Sequence, residues 1–127
     1  MASTRLLVGT RKGAWIYTAD ATRQSWSISP PMMPGWSIYH MAVDTRRATP
    51  RIFAAGQHWA WGPMVARSDD GGVTWDQRSP GIAFAPDFGE TVESVWNVQP
   101  GPASQPGVVY AGTQPAGLFK STDWGET

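Results

Sequence analysis

Ser68-Asp69-Asp70-Gly71-Gly72-Val73-Thr74-Trp75 is a turn written for the end of a β-strand, and a second copy, Ser121-Thr122-Asp123-Trp124-Gly125-Glu126-Thr127, follows 53 residues later. A tight turn leaves backbone donors that no neighbouring strand reaches. Asp70 and Asp123 stand where a carboxylate accepts from N–H groups two or more residues on, and Ser68 and Ser121 brace the same loop. Gly72 and Gly125 fall two residues after each aspartate, where a positive φ is costly for a residue with a Cβ. Thr74 and Trp75 are expected to begin a return strand, with the indole folded beneath the turn as an apolar foot.

Working outward from this turn, the chain reads as short strands and loops. Leu6 to Thr10, Ala14 to Thr18 and Trp26 to Ser29 form one meander, and a Pro/Met/Gly loop leads on to Ile38–Asp44. The strands 38–44, 51–56, 64–67 and 74–78 make a complete four-stranded unit. Strands at Ser94–Val98, Val108–Thr113 and Gly117–Lys120 begin a third. Leu7-Val8-Gly9-Thr10, Phe53-Ala54-Ala55-Gly56 and Tyr110-Ala111-Gly112-Thr113 take the same place in the three units. A period near ~50 residues with four short strands per repeat is the signature of propeller blades. The fold class is therefore all-β, with blades over 5–29, 36–78 and 92–127.

The first unit lacks its innermost strand and the third its outermost. The expectation is the N-terminal portion of a longer chain, about two and a half blades of about six or seven. The remaining blades of the same protein would then cover open faces and edges.

Composition removes several function classes. Ten basic and ten acidic side chains balance in 127 residues, so no electrostatic footprint points to nucleic acid. No cysteine is present, hence no disulfide or thiolate metal site. The first residues hold too short an apolar run for a signal peptide or a membrane span, which makes the cytoplasm the expected compartment. Asp69 and Asp70 lack EF-hand ligand spacing, and nothing calls for a metal or cofactor. Fourteen glycines, eleven prolines and eight tryptophans match a turn-rich chain with much aromatic packing.

The pattern Ser-x-Asp-x-Gly-x-Thr-Trp resembles the Asp-box, or BNR repeat, of sialidase-type β-propellers. Val8-Gly9-Thr10-Arg11-Lys12-Gly13, Pro34-Gly35-Trp36 with Tyr39-His40, Trp61-Gly62-Pro63 and Gln99-Pro100-Gly101-Pro102 look like a bacterial group of BNR-repeat proteins labelled sialidase-like or glycosyl-hydrolase-like. The resemblance covers the chain. It implies that Ser68, Asp70, Gly72, Thr74, Trp75, Ser121, Asp123 and Gly125 are structural residues at the rim of each blade. True sialidases grip the substrate carboxylate with three arginines, the first in Arg-Ile-Pro, and use a tyrosine nucleophile. Arg51-Ile52-Phe53 is the nearest string here, at the start of a strand, and a sialidase is disfavoured.

A propeller sends the loops opposite the Asp-box turns to one face. Arg11, Lys12, Trp36, Tyr39, His40, His58, Trp59, Trp61 and Trp96 belong there, with Asp87 and Gln114 close by. Indoles stack on sugar rings while polar groups read hydroxyls or carboxylates, so a carbohydrate, a small polar ligand or a protein partner suits this face. The competing account is loop packing for the tryptophans, a solvated turn for Arg11 and Lys12, and a hydrogen-bonded strand residue for His40. His40, Glu90 and Glu93 are the candidate catalytic groups. Glycoside hydrolysis needs two carboxyls ~5–9.5 Å apart. Three functions follow: a binding propeller, which is preferred, a glycoside hydrolase with further catalytic residues beyond residue 127, and an assembly or sorting scaffold.

Overall fold

The computed structural model describes residues 3–127, and among them the regular structure is entirely β. Nine strands occur: β1 Arg5–Thr10, β2 Gly13–Ala19, β3 Trp26–Ile28, β4 Ser37–Asp44, β5 Arg51–His58, β6 Gly62–Ser68, β7 Ser94–Pro100, β8 Val109–Gln114 and β9 Gly117–Ser121. They form three antiparallel meanders, β1-β2-β3, β4-β5-β6 and β7-β8-β9. Among the described residues no helix is long and apolar enough to cross a membrane.

The sheets stack with β4-β5-β6 in the middle, and β5 shows why its sequence does not alternate. Arg51 to Gly56 are all buried. Ile52 and Ala54 face the first sheet, in a core with Ile16, Met32, Ile38 and Met64. Phe53 and Ala55 face the third, against Val65, Val95, Val98 and Val109. A strand covered on both faces reads as a continuous apolar run. The stack does not close on itself.

The first and third units have the three strands expected of each, but the middle unit has three where four were expected. The segment 74–78 is not a strand: it meets β6 only at Arg67 and Asp76, whose amides donate to each other's carbonyls at 2.9 and 2.8 Å. Beyond that bridge, side chains take over the pairing. The Ser79 hydroxyl accepts from the Val65 amide at 2.8 Å and donates to the Val65 carbonyl at 3.1 Å. Asp76 meanwhile turns the chain by accepting from the Arg78 amide at 3.0 Å. Register keeps the alignment of the repeated strings. Ile38 pairs with Gly56 and Val95 with Thr113, so Gly56 answers to Thr113 and Ala55 to Gly112.

Both turns adopt the same hydrogen-bond set. Ser68 Oγ donates to Asp70 at 2.8 Å and accepts from the Gly72 amide at 2.9 Å. Ser121 repeats this with Asp123 at 2.6 Å and Gly125 at 2.9 Å. Asp70 accepts from the amide and hydroxyl of Thr74, and Asp123 from those of Thr127. Gly72 and Gly125 have φ of +95° and +80°. Trp75 Nε1 donates to the Gly72 carbonyl at 3.0 Å while its ring packs on the core between the first two sheets.

Each turn lies against the preceding sheet. A Cβ on Gly72 would stand 2.7 Å from Ile16 Cδ1, and one on Gly125 would stand 2.7 Å from Phe53 Cε1. Arginines of the middle unit stitch it to the third. Arg46 forks onto Asp44 and reaches the carbonyls of Pro102, Gln105 and Val108 at 2.8–3.2 Å. Arg51 pairs with Asp69 and Glu126 and donates to the Trp124 carbonyl at 3.0 Å. Arg67 donates to the Gly125 carbonyl at 2.6 Å. These partners raise the basicity of Arg51, Asp69 first among them.

Two predictions follow from the turns. Gly72→Ala and Gly125→Ala are expected to destabilise the fold by about 1–3 kcal/mol each, read by chemical denaturation, because the methyl group overpacks a filled core. Asp70 is held at about 2, below its ordinary 3.8, first by the Thr74 hydroxyl and then by the Thr74 amide and Ser68. A depressed carboxylate stabilises the fold above its unfolded value and loses that effect as pH falls through its folded value. The Tm should therefore drop on acidification from about pH 4 towards 2, and Asp70→Asn should flatten part of that drop.

Candidate functional site

The edge of the stack away from the Asp-box turns gathers hairpin tips and strand starts, and contacts tie them into a row. The Gly35 amide donates to the Lys12 carbonyl at 3.3 Å, which seats the β1–β2 hairpin against the segment before β4. Trp36, next in that segment, lies 5.1 Å from the His58 ring, centroid to centroid. His58 closes β5, and its ring also faces Trp59 at 5.7 Å and Trp61 at 6.3 Å. The Ala60 amide donates to His58 Nδ1 at 3.0 Å.

The tip of this hairpin is almost entirely in water. Trp59 is 90% exposed and Trp61 75%, while Trp36 and His58 are half-buried beneath them. Burying these two indoles would be favourable, and nothing among the described residues does so.

β4 and β7 present the same device to the same edge. Each carries a bulge, between Ile38 and His40 in β4 and between Val95 and Asn97 in β7. Tyr39 and Trp96 are the bulged residues, 46% and 54% exposed. An extra residue in a strand re-aims its side chain, and both bulges aim an aromatic one.

Between the two bulged strands lies Gln57. Its Oε1 accepts from Tyr39 Oη at 3.3 Å and from Ser94 Oγ at 3.1 Å, which joins the middle unit to the third. Neither Gln57 nor Ser94 stands out in the sequence as a site residue. The signal for them is register: Ser37 pairs with Gln57 as Ser94 pairs with Gln114, an equivalence that needs the strand pairing to be known.

The remaining expected residues separate. Arg11 and Lys12 are exposed on their hairpin tip. His40 is half-buried, and its Nδ1 accepts from the Val98 amide at 3.4 Å, a link between β4 and β7. Asp87 and Glu90 are exposed in the segment 79–93. Glu93 is exposed and accepts from Gln114 Nε2 at 3.4 Å. No hydrogen bond among the described residues joins His40, Glu90 and Glu93 to one another. Among the described residues no three His, Asp or Glu side chains gather to hold a metal ion. Two groups are brought together: Trp36, His58, Trp59 and Trp61, and, on the side of β5 that faces the third sheet, Tyr39, Gln57 and Ser94.

Trp59 and Trp61 touch little of the fold, so replacing either by Ala should change stability by no more than about 0.5 kcal/mol in a denaturation experiment. Trp36→Ala, which removes a half-buried ring packed on the core, should cost several times more. No protein-family model and no curated protein matches the chain.

Proposed function

We propose that the three sheets are blades of an Asp-box propeller and that the edge opposite the boxes is a carbohydrate-binding face. The two boxes with one hydrogen-bond set, and the meanders stacked face to face, support the architecture. The observation that carries the function is the pair of solvent-exposed indoles at Trp59 and Trp61, held over His58 and Trp36. Flat, amphipathic rings offer a pyranose a broad apolar surface, while amide and hydroxyl groups beside them read its oxygens. Binding is the reading these residues favour, because the groups that meet at the exposed indoles are all aromatic and none of them is a carboxyl.

The test is titration calorimetry against a panel of oligosaccharides. Trp59→Ala and Trp61→Ala should each weaken binding by about ten-fold or more, the loss of a hot-spot aromatic. Trp26→Ala, an exposed tryptophan on β3 in the outer part of the first sheet, should leave binding unchanged. Retention of full affinity in both hairpin variants would remove the indole platform as the binding surface.

A further inference from the structure

We infer that the outer face of the first sheet receives the outer face of the third sheet of a second copy of this chain, and that two copies close in this way into one ring. The inference rests on the blade architecture proposed above and is independent of the carbohydrate reading.

Paired residues on neighbouring strands share a face, and successive residues along a strand alternate. Leu7, Ala14 and Ile16 pack towards the middle sheet. Leu6, Val8, Trp15 and Tyr17 therefore face away from it, with Val8 opposite Trp15 and Leu6 opposite Tyr17. Leu6 is exposed and the other three are half-buried, so the first sheet ends the stack on an apolar, aromatic side.

The two internal seams show what covers such a side. In the repeated strings Val8 answers to Ala54 and Ala111, and Leu6 to Ile52 and Val109. Through the strand pairing, Trp15 answers to Ala66 and Phe119. Ile52, Ala54 and Ala66 lie in one core with Ile16 of the sheet before them. Val109, Ala111 and Phe119 lie in another with Phe53 and Val65 of the sheet before them. The first sheet thus carries the same receiving side as the other two.

The matching side is on this chain as well. Phe53, Ala55, Val65 and Arg67 form the side of the middle sheet that meets the third. Leu118 pairs with Gly112 and Lys120 with Tyr110, as Val65 pairs with Ala55 and Arg67 with Phe53. Tyr110, Gly112, Leu118 and Lys120 therefore repeat, position for position, an aromatic ring, a small residue, an aliphatic side chain and a cation. Leu118 and Lys120 are exposed. Charge agrees with the pairing. Arg67 stands 3.9 Å from Glu126 in the turn of the third unit, and the turn of the first unit offers the exposed Asp20 to Lys120.

A contact between two different faces either closes into a ring or runs on as a fibre. Each chain brings three sheets, so two chains bring six, inside the range of about four to eight blades with which propellers close. A dimer is the closed form.

Sedimentation velocity over a concentration series tests the contact. The wild-type chain should run as a dimer that dissociates on dilution. Leu6→Asp and Leu118→Asp each set a charge against an apolar partner face and should raise the dissociation constant about ten-fold or more. Both side chains are exposed, so the circular dichroism of the dilute variants should match the wild type. Lys120→Glu, on the rim of the same face, serves if either variant does not fold. Mixing the two aspartate variants should restore dimer, because the intact first sheet of one chain meets the intact third sheet of the other. A monomer at every concentration would overturn the contact, whatever else covers these faces. Dimer lost in Leu6→Asp but kept in Leu118→Asp would mean that first sheets pair with each other, and would overturn it too. Growth into open-ended polymers would overturn the ring. Loss of sugar binding in Trp59→Ala reads the carbohydrate face separately, so the two readings fail independently.

Discussion

Two missing side chains set the spacing of the stack. Gly72 rests on Ile16 and Gly125 on Phe53, each so close that an added Cβ would stand 2.7 Å from a side-chain carbon and something would have to shift. Each glycine is fixed by the hydrogen bonds that Ser68 and Asp70, or Ser121 and Asp123, make around the turn. The polar turn and the apolar core are thus one device: the carboxylate shapes a left-handed backbone, and that backbone lets the next unit approach. β5, covered on both sides, is where the two approaches meet.

Much of this was legible beforehand because it is local. Asp70, Gly72 and Thr74 act on one another within five residues, so their spacing carries the turn, and the apolar run at Ile52 to Ala55 carries the buried strand. The fourth strand failed for a reason that is also local but harder to see. Ser79 satisfies Val65 with a hydroxyl, and a serine after a turn does not announce whether its backbone or its side chain will do the pairing.

The candidate site divides along the same line. The tryptophans at 59 and 61 identify themselves by size and by their place at a hairpin tip. Gln57 and Ser94 become visible only when two sheets are set side by side, since 37 residues separate the partners. His40, Glu90 and Glu93 attract attention as titratable types, yet the fold gives the first a backbone amide to accept from and leaves both carboxyls exposed.

The arginines of the middle unit have a further consequence for how its boundary with the third unit behaves. Arg46, Arg51 and Arg67 end on carbonyl oxygens at fixed points of the neighbouring backbone, from Pro102 to Gly125. A greasy seam alone permits its two halves to slide, because one methyl group substitutes for another. Here a displacement of one residue would strand three guanidinium groups at once, two of them almost wholly buried. The boundary is therefore keyed like a lock rather than glued, and its alignment is specified by cations reading the neighbour's main chain, with the Glu126 carboxylate added as a side-chain partner of Arg51.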